Sequence, residues 1–129
     1  FIQETMISLE SKIAPFSASW SGPSFWAPAV GTRGGVAILC SIHYSSAISV
    51  WQKDSSGRIL SLLVSLESLM INIVNVYATA RVERKTFLQF IPAFFFPNSR
   101  PLIDGGFYCY DSTLDKMGTA SLDSNFTFF

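Results

Sequence analysis

Two long apolar runs dominate the hydrophobic pattern: Arg58-Ile59-Leu60-Ser61-Leu62-Leu63-Val64-Ser65-Leu66, and Leu69-Met70-Ile71-Asn72-Ile73-Val74-Asn75-Val76-Tyr77-Ala78. Together they resemble a membrane span in length, but Glu67, Asn72 and Asn75 interrupt them and the period is nearer two than 3.6. The pattern therefore predicts two strands joined tightly at Glu67-Ser68, a hairpin. Upstream, Gly34-Gly35 introduces the continuous apolar run Val36-Ala37-Ile38-Leu39-Cys40, as expected of a strand buried on both faces. Residues 47–52 read as another strand, ended by the turn cluster Asp54-Ser55-Ser56-Gly57. In residues 82–95 the apolar positions Val82, Phe87, Phe90, Ile91 and Phe94 recur at near-helical spacing behind the polar opening Glu83-Arg84-Lys85. An amphipathic helix is predicted there, which Pro92 should end or kink.

The flanks are less regular. Phe1-Ile2-Gln3 reads as the tail of a strand, followed by a short, poorly capped helix lined by Ile7, Leu9 and Ile13. Residues 17–30 set Trp20, Phe25 and Trp26 among turn formers, a loop or weak strand. Residues 97–101 form a loop, Leu102-Ile103 a short strand, and Gly105-Gly106 a break. This order of strands, hairpin, helix and strand predicts an α+β fold with helices outside β-sheets, and 129 residues suit one domain over 1–129.

Charge removes several partner classes from consideration. Nine Lys and Arg balance nine Asp and Glu, so no basic or acidic field recruits a partner. The 49% hydrophobic and 14% charged composition excludes intrinsic disorder. Twelve Phe and a mean hydropathy of +0.35 exceed what a soluble monomer needs, which predicts apolar surface left open for a partner or for self-association. Cys40 and Cys109 are too few for a disulfide scaffold and lack zinc-ligand spacing. With no signal-peptide pattern at the start, an intracellular setting, nuclear or cytoplasmic, and no membrane partner are expected.

Candidate chemistry is sparse. His43 is the one histidine, so any Ser-His-Asp or Cys-His arrangement would depend on it, and a surface or edge-strand His is the simpler reading. No phosphate-binding loop is present, and Gly31-Thr32-Arg33-Gly34-Gly35 lacks dinucleotide-fingerprint spacing. Asn125-Phe126-Thr127 matches a glycosylation sequon without any secretory signal beside it. Two residues stand at strand ends. Glu4 offers a hard oxygen of the kind Mg²⁺ takes alongside waters and phosphate oxygens, although composition alone makes it a solvated surface acid. Tyr77 offers a phenol that could donate to a phosphate oxygen, or a half-buried packing residue.

Four stretches in order carry a family resemblance. Phe1-Ile2-Gln3-Glu4-Thr5 is similar to an "LQET" strand, and Arg33-Gly34-Gly35-Val36-Ala37-Ile38-Leu39 to an "RGVAIL" strand. Residues 54–60 with Asn72-Ile73-Val74-Asn75-Val76-Tyr77-Ala78 resemble a "D..GR.L" and "NVYAP" hairpin. Gly105-Gly106-Phe107-Tyr108-Cys109-Tyr110-Asp111, running into Leu114-Asp115-Lys116-Met117-Gly118, resembles "GGDFNCYD..LDK.G". The chain thus resembles the endonuclease/exonuclease/phosphatase family, and within it the AP-endonuclease-like endonuclease domain of non-LTR (LINE-type) retrotransposons. The resemblance implies the first half of a two-sheet, exonuclease III-like β-sandwich whose inner sheet face lies open. It also implies Mg²⁺-dependent (or Mn²⁺-dependent) hydrolysis of a DNA phosphodiester, with a reverse transcriptase domain in the parent element, Glu4 as metal ligand and Tyr77 as a catalytic phosphate contact.

The departures fall on the chemistry. Where the family reads Gly-Gly-Asp-Phe-Asn, this chain reads Gly105-Gly106-Phe107-Tyr108, so the catalytic Asp is missing and Tyr108 replaces its companion Asn. Asp104 lies on the other side of the glycines, where it would need a register change to substitute. After Tyr77-Ala78 come Thr79-Ala80, without the Pro and Asn of the family, and the Ser-Asp-His segment has no counterpart. Metal, oriented water and phosphate clamps act as a unit, so the expected copy is catalytically dead, with weak or no metal binding. The rival expectation is a non-catalytic interaction module that uses an exposed apolar sheet face; a phospholipid or inositol phosphate substrate fits less well with the "CYD..LDK.G" stretch.

Overall fold

A computed structural model describes residues 1–78 and 84–106. In chain order the elements are β1 (Ile2–Gln3), α1 (Glu10–Ser19), β2 (Ser24–Ala27), β3 (Val36–Leu39), a 3₁₀ turn (Ile42–Ala47), β4 (Ile48–Lys53), β5 (Ile59–Leu66), β6 (Leu69–Tyr77), α2 (Arg84–Phe90), a second 3₁₀ turn (Ile91–Phe94) and β7 (Arg100–Gly106). They form a mixed α/β structure with two sheets, of order β1-β3-β2 and β4-β5-β6-β7.

The predicted hairpin is the centre of the larger sheet. β5 and β6 pair antiparallel from Ile59↔Val76 to Leu66↔Leu69, so period-two alternation sends successive side chains to opposite faces. Leu60, Leu62 and Val64 point to the smaller sheet and bury with Ala27, Val36 and Ile38. Ile59, Val74 and Val76 point the other way and bury with Ala78 under Leu88 and Ile91. Each fully buried Leu, Ile or Val contributes roughly 1.5–3 kcal/mol of transfer free energy, so these two clusters carry the fold.

Two wholly buried asparagines sit on opposite faces of β6. On the helix side, the Asn72 Nδ2 donates to Ser61 Oγ at 2.7 Å and Leu62 O at 3.1 Å, and its Oδ1 accepts from Phe96 N at 3.0 Å. Ser61 Oγ in turn donates to Phe94 O at 2.7 Å, so this group ties the segment after α2 to the sheet. On the other face, the Asn75 Nδ2 donates to Ile2 O and Ala37 O, both at 2.9 Å, and joins the two sheets.

Several sequence expectations need correction. The first helix runs to Ser19, through Pro15, because Phe16 stacks near Trp26 (6.3 Å between centroids) and Ser17 shares a 2.9 Å hydroxyl bond with Ser24. Residues 17–30 therefore hold a helix end and a paired strand. The strand expected at Leu102-Ile103 spans Arg100–Gly106, and Gly105-Gly106 is part of it, since both pair in parallel with Val76 and Tyr77. At Gly105 a Cβ would stand 2.0 Å from Val76 O, so glycine is required by close strand approach and the pair is not a hinge. Where the two sheets overlap, Val36, Leu60 and Leu62 are fully buried, whereas Leu102, in register with Ile73 on the same inner face, is exposed on β7, so that part of the inner face lies open. β1 packs over β6, so the free edges of β1 and β7 share one side, where Phe1, Ile2 and Leu102 are exposed. Among the described residues no helix is long and apolar enough to cross a membrane. Val82, Glu83, the residues from Phe107 to Gly118 that complete the fourth family-like stretch, Cys109 and the Asn125 sequon lie outside the described residues.

Candidate functional site

One cleft gathers the ends of four strands. Glu4 directly follows β1, Tyr77 closes β6, Arg58 immediately precedes β5, and Thr32, Arg33 and Gly34 approach β3. With Met6 they line a cleft of about 340 Å³. Each is brought there by local chemistry. The carboxylate of Asp54 caps its turn: Oδ1 accepts from Arg58 N and Ile59 N, both at 2.8 Å, and Oδ2 from Ser56 N at 3.1 Å and from Ser56 Oγ. Arg58 O then accepts from Tyr77 N at 2.8 Å, which sets the arginine beside the tyrosine. Gly57, at φ 72°, rests so close to Pro28 that a Cβ would stand 2.1 Å from its carbonyl oxygen, so the "D..GR.L" stretch is a turn that only glycine lets dock.

Glu4 is held in an unusual conformation. Its φ is 52° and that of Met6 is 56°, left-handed values that cost a non-glycine residue about 1–3 kcal/mol each. The surroundings enforce them: Thr5 N donates to Gly35 O and Met6 N to Gly34 O, both at 3.0 Å. The result is an exposed carboxylate aimed at Tyr77, whose hydroxyl donates to Glu4 Oε1 at 2.5 Å. The two residues singled out from the sequence, 73 positions apart, are thus in direct contact.

Arg33 and Arg58 are the site residues that sequence reasoning passed over. Both lie inside the family-like stretches "RGVAIL" and "D..GR.L". Arg58 lies 5.9 Å from the Phe87 ring centroid, a cation–π distance that steadies it at the cleft wall. A cleft lined by a carboxylate, a phenol and two arginines can take an anionic oxygen on an arginine while offering one hard ligand oxygen. The donor set suits a weakly held Mg²⁺: Glu4 supplies one carboxylate, and waters and phosphate oxygens would have to complete the shell. No cluster of three or more His, Cys, Asp or Glu that could hold a metal occurs among the described residues.

The other sequence candidates lie elsewhere. His43 is exposed in the 3₁₀ turn after the far end of β3, whose near end adjoins the cleft. Asp104 is exposed on β7 in register with Asn75, two residues before Gly106, and does not line the cleft. No protein-family model matches the chain, and a search of curated proteins finds no significant match.

Proposed function

We propose that this chain descends from a Mg²⁺-dependent, retrotransposon-type DNA endonuclease and that this copy lacks turnover. The observation that carries the reading is the Tyr77–Glu4 contact in a cleft that also holds Arg33 and Arg58. The two-layer arrangement, with parallel β6 and β7 joined through α2, supports descent from the first half of an exonuclease III-like sandwich. In this reading DNA is the partner, Glu4 holds Mg²⁺ or Mn²⁺, and Tyr77 both orients the Glu4 carboxylate and contacts phosphate. The arginines take the phosphate charge. When bound, the ion would polarise a phosphoryl oxygen. What is missing is the water activator: the family Asp after the Gly pair is absent, and Tyr108 and Ala80 stand where asparagines are expected. A nuclear or cytoplasmic setting and a parent element carrying reverse transcriptase belong to the same proposal.

A supercoiled-plasmid nicking assay with and without Mg²⁺ tests it, together with Mn²⁺ binding followed by electron paramagnetic resonance. The expected result is no nicking above a Glu4→Gln control, with weak Mn²⁺ binding that this substitution removes. Mg²⁺-dependent nicking abolished by Glu4→Gln would refute the loss of turnover, and Mn²⁺ binding indifferent to Glu4 would refute its role as ligand. A second reading, a non-catalytic interaction module, is favoured by the exposed apolar side chains along the open β1 and β7 edges.

A further inference from the structure

We infer that Asn75 is the positioning residue of the Glu4–Tyr77 pair, acting through strand β1; this rests on the reading that those two residues form the site. An amide in the sandwich interior is costly unless its hydrogen bonds are made. Asn75 is fully buried and makes three. Both Nδ2 bonds reach the opposite sheet, to Ile2 O and Ala37 O at 2.9 Å, and Oδ1 accepts from Gln3 Nε2 at 3.2 Å. Apolar contact between stacked sheets is non-directional and tolerates sliding, whereas these bonds set the height of β1 along β6.

The register turns that height into site geometry. Tyr77 lies two residues beyond Asn75, and Glu4 directly follows Gln3, whose side chain meets Asn75; regular alternation would turn Glu4 to the opposite face, and its left-handed φ of 52° instead lets the carboxylate meet Tyr77. On the far side of Glu4, the Gly34 and Gly35 carbonyls hold Met6 and Thr5. Glu4 is thereby fixed from both directions in its left-handed conformation. A slip of β1 by one residue, about 3.3 Å, would break a contact of 2.5 Å. Asn72 is an internal comparison: the same residue type, equally buried, on the same strand, but facing the helix layer.

The test is a set of double-mutant cycles between Glu4→Gln and Tyr77→Phe, read as denaturation midpoints of the 129-residue chain in metal-free buffer. The cycle is run in the unmodified, Asn75→Ala, Gln3→Ala and Asn72→Ala backgrounds. Non-additivity is expected in the unmodified chain, is lost with Asn75→Ala, is reduced with Gln3→Ala and survives Asn72→Ala despite comparable destabilisation. Coupling that persists in Asn75→Ala, disappears equally in Asn72→Ala, or is absent from the unmodified chain overturns the inference. Should Asn75→Ala fail to fold, Gln3→Ala decides, and unchanged coupling there overturns it; Val74→Ala replaces the Asn72 control if that variant fails. The metal arm is separate. Glu4-independent Mn²⁺ binding with cycles as expected would remove the metal role and leave the positioning intact, whereas Glu4-dependent binding unaltered by Asn75→Ala would count against positioning.

Discussion

Glu67 adopts φ 55° in the hairpin turn, the same left-handed region as Glu4 and Met6, yet it does not line their cleft. Its strain has no site to serve, so Glu67→Asn should raise stability by about 1 kcal/mol, read as a higher urea midpoint with unchanged slope. Cys40 offers a residue-scale pH dependence. Burial pushes its thiol above the ordinary range, so the folded state disfavours the thiolate. That contribution is fully present below the ordinary thiol range and is lost as pH rises through the raised value. In a Cys109→Ser background, iodoacetamide should label Cys40 more slowly in the native than in the urea-unfolded chain, and Cys40→Ala should flatten the alkaline loss of stability. At this scale Glu4 and Tyr77 were legible through the family-like stretches. Arg33 and Arg58 were not, because an arginine in a turn reads as solvated until a partner from a distant strand closes the cleft around it.

Among the elements, the hairpin was readable because alternation over β5 and β6 is a local property of the chain. The extent of β7 was not. Its Pro, Asp and two Gly residues all disfavour strands, and what makes it one is parallel pairing with β6 across the α2 crossover. Gly105→Ala should therefore destabilise the chain by more than about 2 kcal/mol, since the new Cβ meets the Val76 carbonyl and the strands must separate. Calorimetry or denaturant titration checks this, and a neutral result would mean that β7 is not paired there. The first helix makes the same point: Pro15 argues for an early stop, and contacts from Trp26 and Ser24 carry the helix past it.

For the whole molecule, the inner face of the larger sheet is covered over β5 and β6 and lies open at β7, where Leu102 shares it with Ile73. Leu102 is 56% exposed on β7, beside the exposed Phe1 and Ile2 of the other sheet. If this rim associates, sedimentation velocity should show concentration-dependent oligomers that Leu102→Lys reduces, because a charge on a free strand edge opposes edge-to-edge pairing. Identical sedimentation of both proteins would exclude the β7 rim as the contact.

By itself the sequence determined the central hairpin, the strand after Gly34-Gly35 and the helix that Pro92 ends, because periodicity and turn chemistry act over a few residues. It also carried the family-like order that singles out Glu4 and Tyr77. Only the tertiary structure decided that these two touch, that two arginines share their cleft, that β7 runs through its glycines, and that one buried amide joins the sheets. Each of those depends on segments far apart in the chain meeting at a set height and register. Sheet stacking and non-local hydrogen bonds create that alignment, and no local pattern encodes it.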